Sequence, residues 1–141
     1  LMKTAISNLY QDKLLGLASQ AEKLARLECS NKTATVVSKA CGSSVTVDLL
    51  VINNKISIVG QKVDACALGS ASSVIAASNL VGKTYEEIYA VRVKLVNMLQ
   101  DNGPPPEGEW SDLALFEPAK NLKNRHESIL LIFDAVLLAL K

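Results

Sequence analysis

The feature that most constrains the fold is a hairpin pattern over residues 44–65, in which two apolar-rich runs meet at Asn53-Asn54. In the first run, apolar side chains occupy every second position: Val45, Val47, Leu49 and Val51. This period-two alternation is typical of a half-buried β-strand. Because Asn tolerates positive φ, the Asn-Asn pair predicts a tight two-residue turn between antiparallel strands. The second run, from Lys55 to Ala65, is therefore expected to fold back beside the first.

A cysteine stands just outside each end of this hairpin. An unbroken ladder from the Asn-Asn turn would place Cys41 directly opposite Cys66. Directly opposed Cβ atoms lie about 4.5–5.5 Å apart, which suits two thiolates that share a metal ion, or a disulfide. A β-bulge at Gly60 is expected to shift the pairing by one residue and to leave the cysteines neighbours. From these residues alone, metal binding, a disulfide and simple burial all stay open.

The rest of the chain predicts helices and one further strand. Residues 33–39 are rich in β-branched side chains and predict a strand that precedes the hairpin. Thr84 and Glu87 form a capping box that predicts the start of a helix. The other predicted helices span about residues 3–19, 68–81 and 126–140. We therefore expect one domain over residues 1–141, of the α+β class, with a three-stranded antiparallel sheet packed against four to five helices.

The composition excludes several classes of function. The formal net charge is +1, and aromatic residues make up 4% of the chain, so neither a basic surface nor stacking platforms for nucleic acid are expected. The apolar run over residues 129–140 is shorter than the roughly 20 residues that a bilayer span needs. With three cysteines and no visible signal peptide, the chain is expected to be cytoplasmic and reduced, with cysteines that bind metal or react.

Three motifs, in this order and spacing, resemble those of a known family. Residues 41–43 read Cys-Gly-Ser where that family has Cys-Gly-Asp, and residues 65–72 read Ala-Cys-Ala-Leu-Gly-Ser-Ala-Ser where it has Gly-Cys-x-x-Ser-x-Ala-Ser. Residues 125–130 read Arg-His-Glu-Ser-Ile-Leu where it has Lys-x-His-Cys-Ser-Ile-Leu. Over nearly its whole length, the chain resembles the iron–sulfur cluster assembly scaffolds. These are the U-type scaffold family, which includes the N-terminal domain of the nitrogen-fixation scaffold. The chain is similar to a divergent member that lacks the third cysteine.

The resemblance implies a compact α+β fold and a scaffold rather than an enzyme. Glu127 replaces the family's third cysteine, and Ser43 replaces an aspartate that the family places beside the cluster. The implied metal ligands are Cys41, Cys66, His126 and Glu127, with Ser43 and Arg125 beside the bound group. The implied cargo is iron or a transient iron–sulfur cluster, with zinc as another candidate, because thiolate, imidazole and carboxylate ligate both Fe²⁺ and Zn²⁺. The implied partners are a cysteine desulfurase and apo iron–sulfur recipient proteins, and a monomer or weak homo-oligomer is expected.

Other interpretations stay open beside the scaffold. A sulfur acceptor would take persulfide sulfur from a cysteine desulfurase on one reactive cysteine and would need no metal. A zinc-stabilised protein without an assembly role is a further alternative. A Cys–His hydrolase in which Glu127 orients His126 is disfavoured, because consecutive helical residues diverge by about 100°. Glu127 also has a structural interpretation, since Asn124 and Glu127 fit a capping box.

Overall fold

In the computed structural model, residues 2–141 are described, with side-chain surroundings from Tyr10 onward. One three-stranded antiparallel sheet has the order β1-β2-β3. The strands are β1 (Lys32–Val37), β2 (Ser44–Ile52) and β3 (Lys55–Asp64). The helices are α1 (Met2–Ser19), α2 (Ala67–Ala77), α3 (Tyr85–Gln100) and α4 (Lys123–Leu140), with 3₁₀ segments at Gln20–Lys23 and Gly108–Asn121. The predicted α+β class and three-stranded meander are confirmed.

The predicted hairpin turn is confirmed, but the predicted position of its bulge is wrong. Asn53 and Asn54 have φ angles of 53° and 65°, as a type I′ turn requires. The register shifts between Leu50 and Val51, which leaves Ser57 as the extra residue of β3. Gly60 stays in register and serves another purpose. A Cβ at this position would lie 2.7 Å from the Ala25 carbonyl oxygen, because the connection after α1 runs directly against β3.

Helix α4 is the central element in the packing of the fold. It packs on the sheet and also contacts α2 and α3. Most of its side chains are buried, including Ile129, Phe133 and Val136. Helix α2 is lined with Ala, Ser and Gly, and these small side chains let it approach α1 and α4 closely. None of the helices in the described part of the chain is long and apolar enough to cross a membrane.

Two helix starts were predicted from capping signals, and they have different outcomes. At α3, Thr84 and Glu87 make the reciprocal capping box that the sequence predicts. At α4, the N-cap residue is Leu122, which makes no side-chain cap bond, and Asn124 lies inside the helix. The capping interpretation of Glu127 is therefore wrong. The helix begins at Lys123, before the predicted cap at Asn124, and the Arg125 amide donates to the Leu122 carbonyl at 2.8 Å.

A buried carboxylate fastens the connection after α1 to the sheet. Asp48 of β2 accepts two hydrogen bonds from Arg26, each of 3.0 Å, and one of 3.1 Å from the Leu27 amide. The Thr33 hydroxyl donates a fourth, of 2.8 Å. The bonds from Arg26 are the main cause that lowers the pKa of Asp48 to about 2. Asp48 thus holds the segment that covers Gly60 and the edge of β3.

Candidate metal centre

Cys41 is presented by a tight loop between β1 and β2, which we call the Cys41 loop (residues 38–43). The Ser38 amide donates to the Ser43 carbonyl at 2.7 Å, and the Gly42 amide donates to the Ser38 carbonyl at 2.8 Å. Gly42 has a φ of 74°, a left-handed conformation that favours glycine. Cys41 is exposed at the tip of this loop. The loop therefore offers a thiol to solvent from a closed backbone turn.

Cys66 is placed by the junction between β3 and α2. Strand β3 ends at Asp64, and Cys66 is the N-cap residue of α2, with an extended backbone at φ −64° and ψ 172°. Its carbonyl accepts from the Ser70 amide at 2.8 Å, which starts the helical hydrogen bonding. The side chain is half-buried. Cys66 is thus less exposed than Cys41, and its backbone is fixed by the start of α2.

Two serine hydroxyls connect the two thiols. The sulfur of Cys41 lies 3.1 Å from Ser43 Oγ, and the sulfur of Cys66 lies 3.3 Å from Ser128 Oγ. The Ser128 hydroxyl donates to Ser43 Oγ at 3.4 Å, which completes a chain from one sulfur to the other. Both serines are buried. The hairpin thus brings its cysteines to the same end, and α4 contributes Ser128 between them.

Serine hydroxyls near Cys41 also change the acidity of its thiol. Hydrogen bonds with Ser38 and then Ser43 lower the pKa of the Cys41 thiol to about 7. A substantial fraction of Cys41 is therefore thiolate near neutral pH. A thiolate is the form that binds metal and attacks sulfur. Cys41 and Cys66 line one shallow pocket of about 230 Å³, together with Ser43, Asp64 and Arg125.

The helical phase of α4 decides which of its residues face the cysteines. Arg125 and Ser128 are three residues apart and share a face. Arg125 lines the cysteine pocket, and the Ser128 hydroxyl contacts the Cys66 sulfur. His126 is buried, and its Nε2 lies 3.0 Å from the Ala119 carbonyl oxygen. Glu127 accepts a hydrogen bond of 3.0 Å from the Lys39 amide. His126 and Glu127 line a different cavity, of about 600 Å³, between α3, α4 and the second 3₁₀ segment.

The predicted site residues therefore divide into two groups. Cys41, Cys66, Ser43 and Arg125 are brought together around one pocket, whereas His126 and Glu127 are not. In the part of the chain that the structure describes, no three His, Cys, Asp or Glu side chains are close enough to hold one metal ion. The four-residue ligand set stays a prediction. Ser128 was not among the site residues predicted from the sequence, although its spacing of three from Arg125 is a signal that could have identified it.

The close approach of α2 to α4 at this site depends on Gly69, which gives a testable prediction. A Cβ on Gly69 would lie 2.5 Å from Ser128 Oγ and 3.0 Å from the Ala65 Cβ. Gly69→Ala is expected to displace Ser128 and to lower the free energy of unfolding by roughly 1–3 kcal/mol, the usual cost of overpacking. The control is Gly16→Ala in α1, where nothing lies within 4 Å of a new Cβ.

Urea unfolding of both glycine variants is the measurement. Gly16→Ala is expected to leave stability unchanged or to raise it by up to about 1 kcal/mol, because alanine is the better helix former. Equal stabilities of Gly69→Ala and the wild type would contradict the assigned packing around Ser128.

Several solved structures of other proteins are similar to this chain. The chain matches no family model and no curated protein. It is 42% identical to the N-terminal part of a nitrogen-fixing NifU-like protein from Brucella abortus. The crystal structure of that protein superposes on this chain with a TM-score of 0.88, and the match covers 95% of this chain and 93% of that one. A proposed iron–sulfur cluster assembly scaffold protein for the SUF system, from Fervidobacterium islandicum AW-1, is 23% identical, with a TM-score of 0.81 and coverages of 91% and 93%. A hypothetical protein is 19% identical, with a TM-score of 0.80 and coverages of 94% and 97%.

Proposed function

Because the chain belongs to the NifU-like, U-type family of iron–sulfur cluster scaffold proteins, we propose that it assembles a transient cluster on Cys41 and Cys66 and releases it. The observation that supports this most is the pair of thiols in one solvent-open pocket, connected through Ser43 and Ser128. Iron–sulfur clusters are held chiefly by thiolates, and Cys41 has a pKa of about 7 that favours this form.

The donor set suits a cargo better than a permanent metal. A structural zinc site is usually closed by four protein ligands, whereas two cysteines line this pocket. Sulfide, water or a side chain of a partner would complete the coordination of iron, and these ligands exchange readily. His126 is proposed as a ligand of the loaded protein only, because it would first have to leave its hydrogen bond to the Ala119 carbonyl. The hydrogen bond between Glu127 and the Lys39 amide favours another role for Glu127, and its predicted ligation of metal is the alternative that is tested below.

We also propose the partners and the location that accompany this role. A cysteine desulfurase would supply sulfur, and apo iron–sulfur proteins would receive the cluster in the cytoplasm. Arg125 at the pocket places a positive charge where an anionic cluster would lie. The protein is proposed to act as a monomer or a weak homo-oligomer.

Iron and acid-labile sulfide analysis tests the scaffold function. Protein purified without oxygen and supplied with Fe²⁺ and sulfide is expected to retain both iron and sulfide after desalting. Retention of zinc alone would instead support a zinc-stabilised protein without an assembly role. Retention of neither metal nor sulfide would contradict the scaffold function.

A second function, as a sulfur acceptor, is supported by the exposure and the pKa of Cys41. In this reaction the Cys41 thiolate attacks the outer sulfur of a persulfide on a cysteine desulfurase. A new S–S bond forms at Cys41, the S–S bond on the desulfurase breaks, and the desulfurase cysteine leaves as a thiolate. Mass spectrometry of metal-free protein mixed with desulfurase and free cysteine should then show one added sulfur on Cys41. Absence of that sulfur would remove this alternative.

A further inference from the structure

We propose that Glu127 is a positioning residue that fastens the Cys41 loop to α4. Glu127 stands where the resemblance places a metal ligand, yet its carboxylate is bonded to the backbone of the loop. The relevance of this bond to cargo rests on the proposed function, in which Cys41 holds the cargo. The bond itself does not depend on that function and is tested in protein from which metal has been removed.

The geometry connects two distant parts of the chain. Glu127 Oε1 accepts from the Lys39 amide at 3.0 Å, across 88 residues of sequence. Other backbone bonds of the loop close it on itself, namely those from the Ser38 and Gly42 amides. A second hydrogen bond between the loop and α4 is the longer one, of 3.4 Å, between the hydroxyls of Ser128 and Ser43. Glu127 therefore supplies a shorter hydrogen bond to the loop than the one between these hydroxyls.

The chemistry of a carboxylate explains why this position can act as a tether. A glutamate side chain reaches two bonds farther than a cysteine and ends in an acceptor for N–H groups. A charged acceptor makes a stronger hydrogen bond to a backbone amide than a neutral one does. Restricting the loop keeps Cys41 beside Ser43 and Ser128 before any cargo arrives, so less conformational freedom is lost on binding. Where the family has a cysteine, which is a soft metal ligand, this chain therefore has a glutamate that fastens the Cys41 loop to α4.

Amide hydrogen exchange in the metal-free protein tests the tether directly. In Glu127→Ala, the Lys39 amide is expected to exchange roughly tenfold faster than in the wild type, because its acceptor is gone. In Glu127→Gln, the side-chain amide oxygen still accepts, so most of the protection should remain. Asn124→Ala is the control, since Asn124 is an exposed residue of the same helix. It is expected to leave Lys39 exchange unchanged.

Zn²⁺ affinity, measured on the same samples by competition with a chelator, separates a tether from a ligand. A tether predicts that Glu127→Gln binds Zn²⁺ almost as well as the wild type and that Glu127→Ala binds more weakly. If Glu127 is a ligand, Glu127→Gln and Glu127→Ala lose Zn²⁺ affinity alike. That result, or unchanged exchange in Glu127→Ala, would overturn the proposal. If wild-type protein binds no Zn²⁺, the proposed metal binding is in question, and the exchange rates still decide the tether.

Discussion

Replacement of both Cys41 and Cys66 with serine is expected to abolish the thermal stabilisation of this protein by Zn²⁺ or Fe²⁺. Metal that binds only the folded protein stabilises it by mass action, by about 2.7 kcal/mol at a hundredfold excess over its dissociation constant. Serine keeps the size of the side chain and its hydrogen bonds, but it removes the thiolate that the metal needs. Differential scanning calorimetry with and without metal is the measurement.

Cys29, which lies away from the candidate site, provides the control for this experiment. Cys29 is exposed in the connection before β1, and it does not line the cysteine pocket. Cys29→Ser is therefore expected to show the same metal-dependent rise in melting temperature as the wild type. An equal rise in the Cys41→Ser, Cys66→Ser double variant would mean that the metal binds elsewhere, and would contradict the assigned pair.

The second large effect is expected at Asp48, which ties the segment after α1 to the sheet. Asp48→Asn should lower the free energy of unfolding at pH 7 by roughly 1–3 kcal/mol, because the Leu27 amide and the Thr33 hydroxyl lose a buried charged acceptor, whereas the exposed Arg26 is solvated by water. Urea unfolding measures this loss. Asp112→Asn, at an exposed aspartate, is the control and should change stability little.

The effect of Asp48 also has a defined pH dependence. The folded protein holds the pKa of Asp48 at about 2, below the value of about 3.9 expected in an unfolded chain. A carboxylate with a lowered pKa contributes fully above the unfolded value and loses its contribution as the pH falls toward the folded one. The stability difference between the wild type and Asp48→Asn should therefore be constant above about pH 5 and shrink from pH 4 to pH 2. A difference that does not change over that range would contradict this assignment.

The hairpin and the α3 capping box were predictable because their signals are local. The φ preferences of Asn53-Asn54 and the alternation of β2 act between near neighbours in the sequence. Gly60 was misinterpreted because its requirement comes from the segment that holds Ala25, far away in the chain. The capping signal at Asn124 was overridden by an earlier start of α4 at Lys123. Tertiary packing therefore decided the features that local patterns did not.

At the candidate site, the same distinction separates the cysteines from the residues of α4. Cys41 and Cys66 lie just beyond the hairpin ladder, which ends at the pair Ser44 and Asp64, so the local signals of the hairpin were enough to predict that both cysteines lie at the same end, although the ladder does not pair them directly. The orientations of His126 and Glu127 depend on how α4 is rotated against the sheet and α2, and the sequence does not define that rotation. The structure places Arg125 and Ser128 toward the cysteines instead. A motif can thus identify the right segment and still leave open which of its side chains reaches the site.

Cluster transfer tests the central claim most directly. The protein is loaded without oxygen with Fe²⁺ and sulfide, freed of excess reagents, and mixed with an apo iron–sulfur recipient protein. We expect visible absorbance and acid-labile sulfide on the wild type, followed by their appearance on the recipient after the two proteins are separated. The Cys41→Ser, Cys66→Ser double variant should load nothing and transfer nothing. A wild-type protein that retains no sulfide, or a double variant that loads and transfers equally well, would contradict the account.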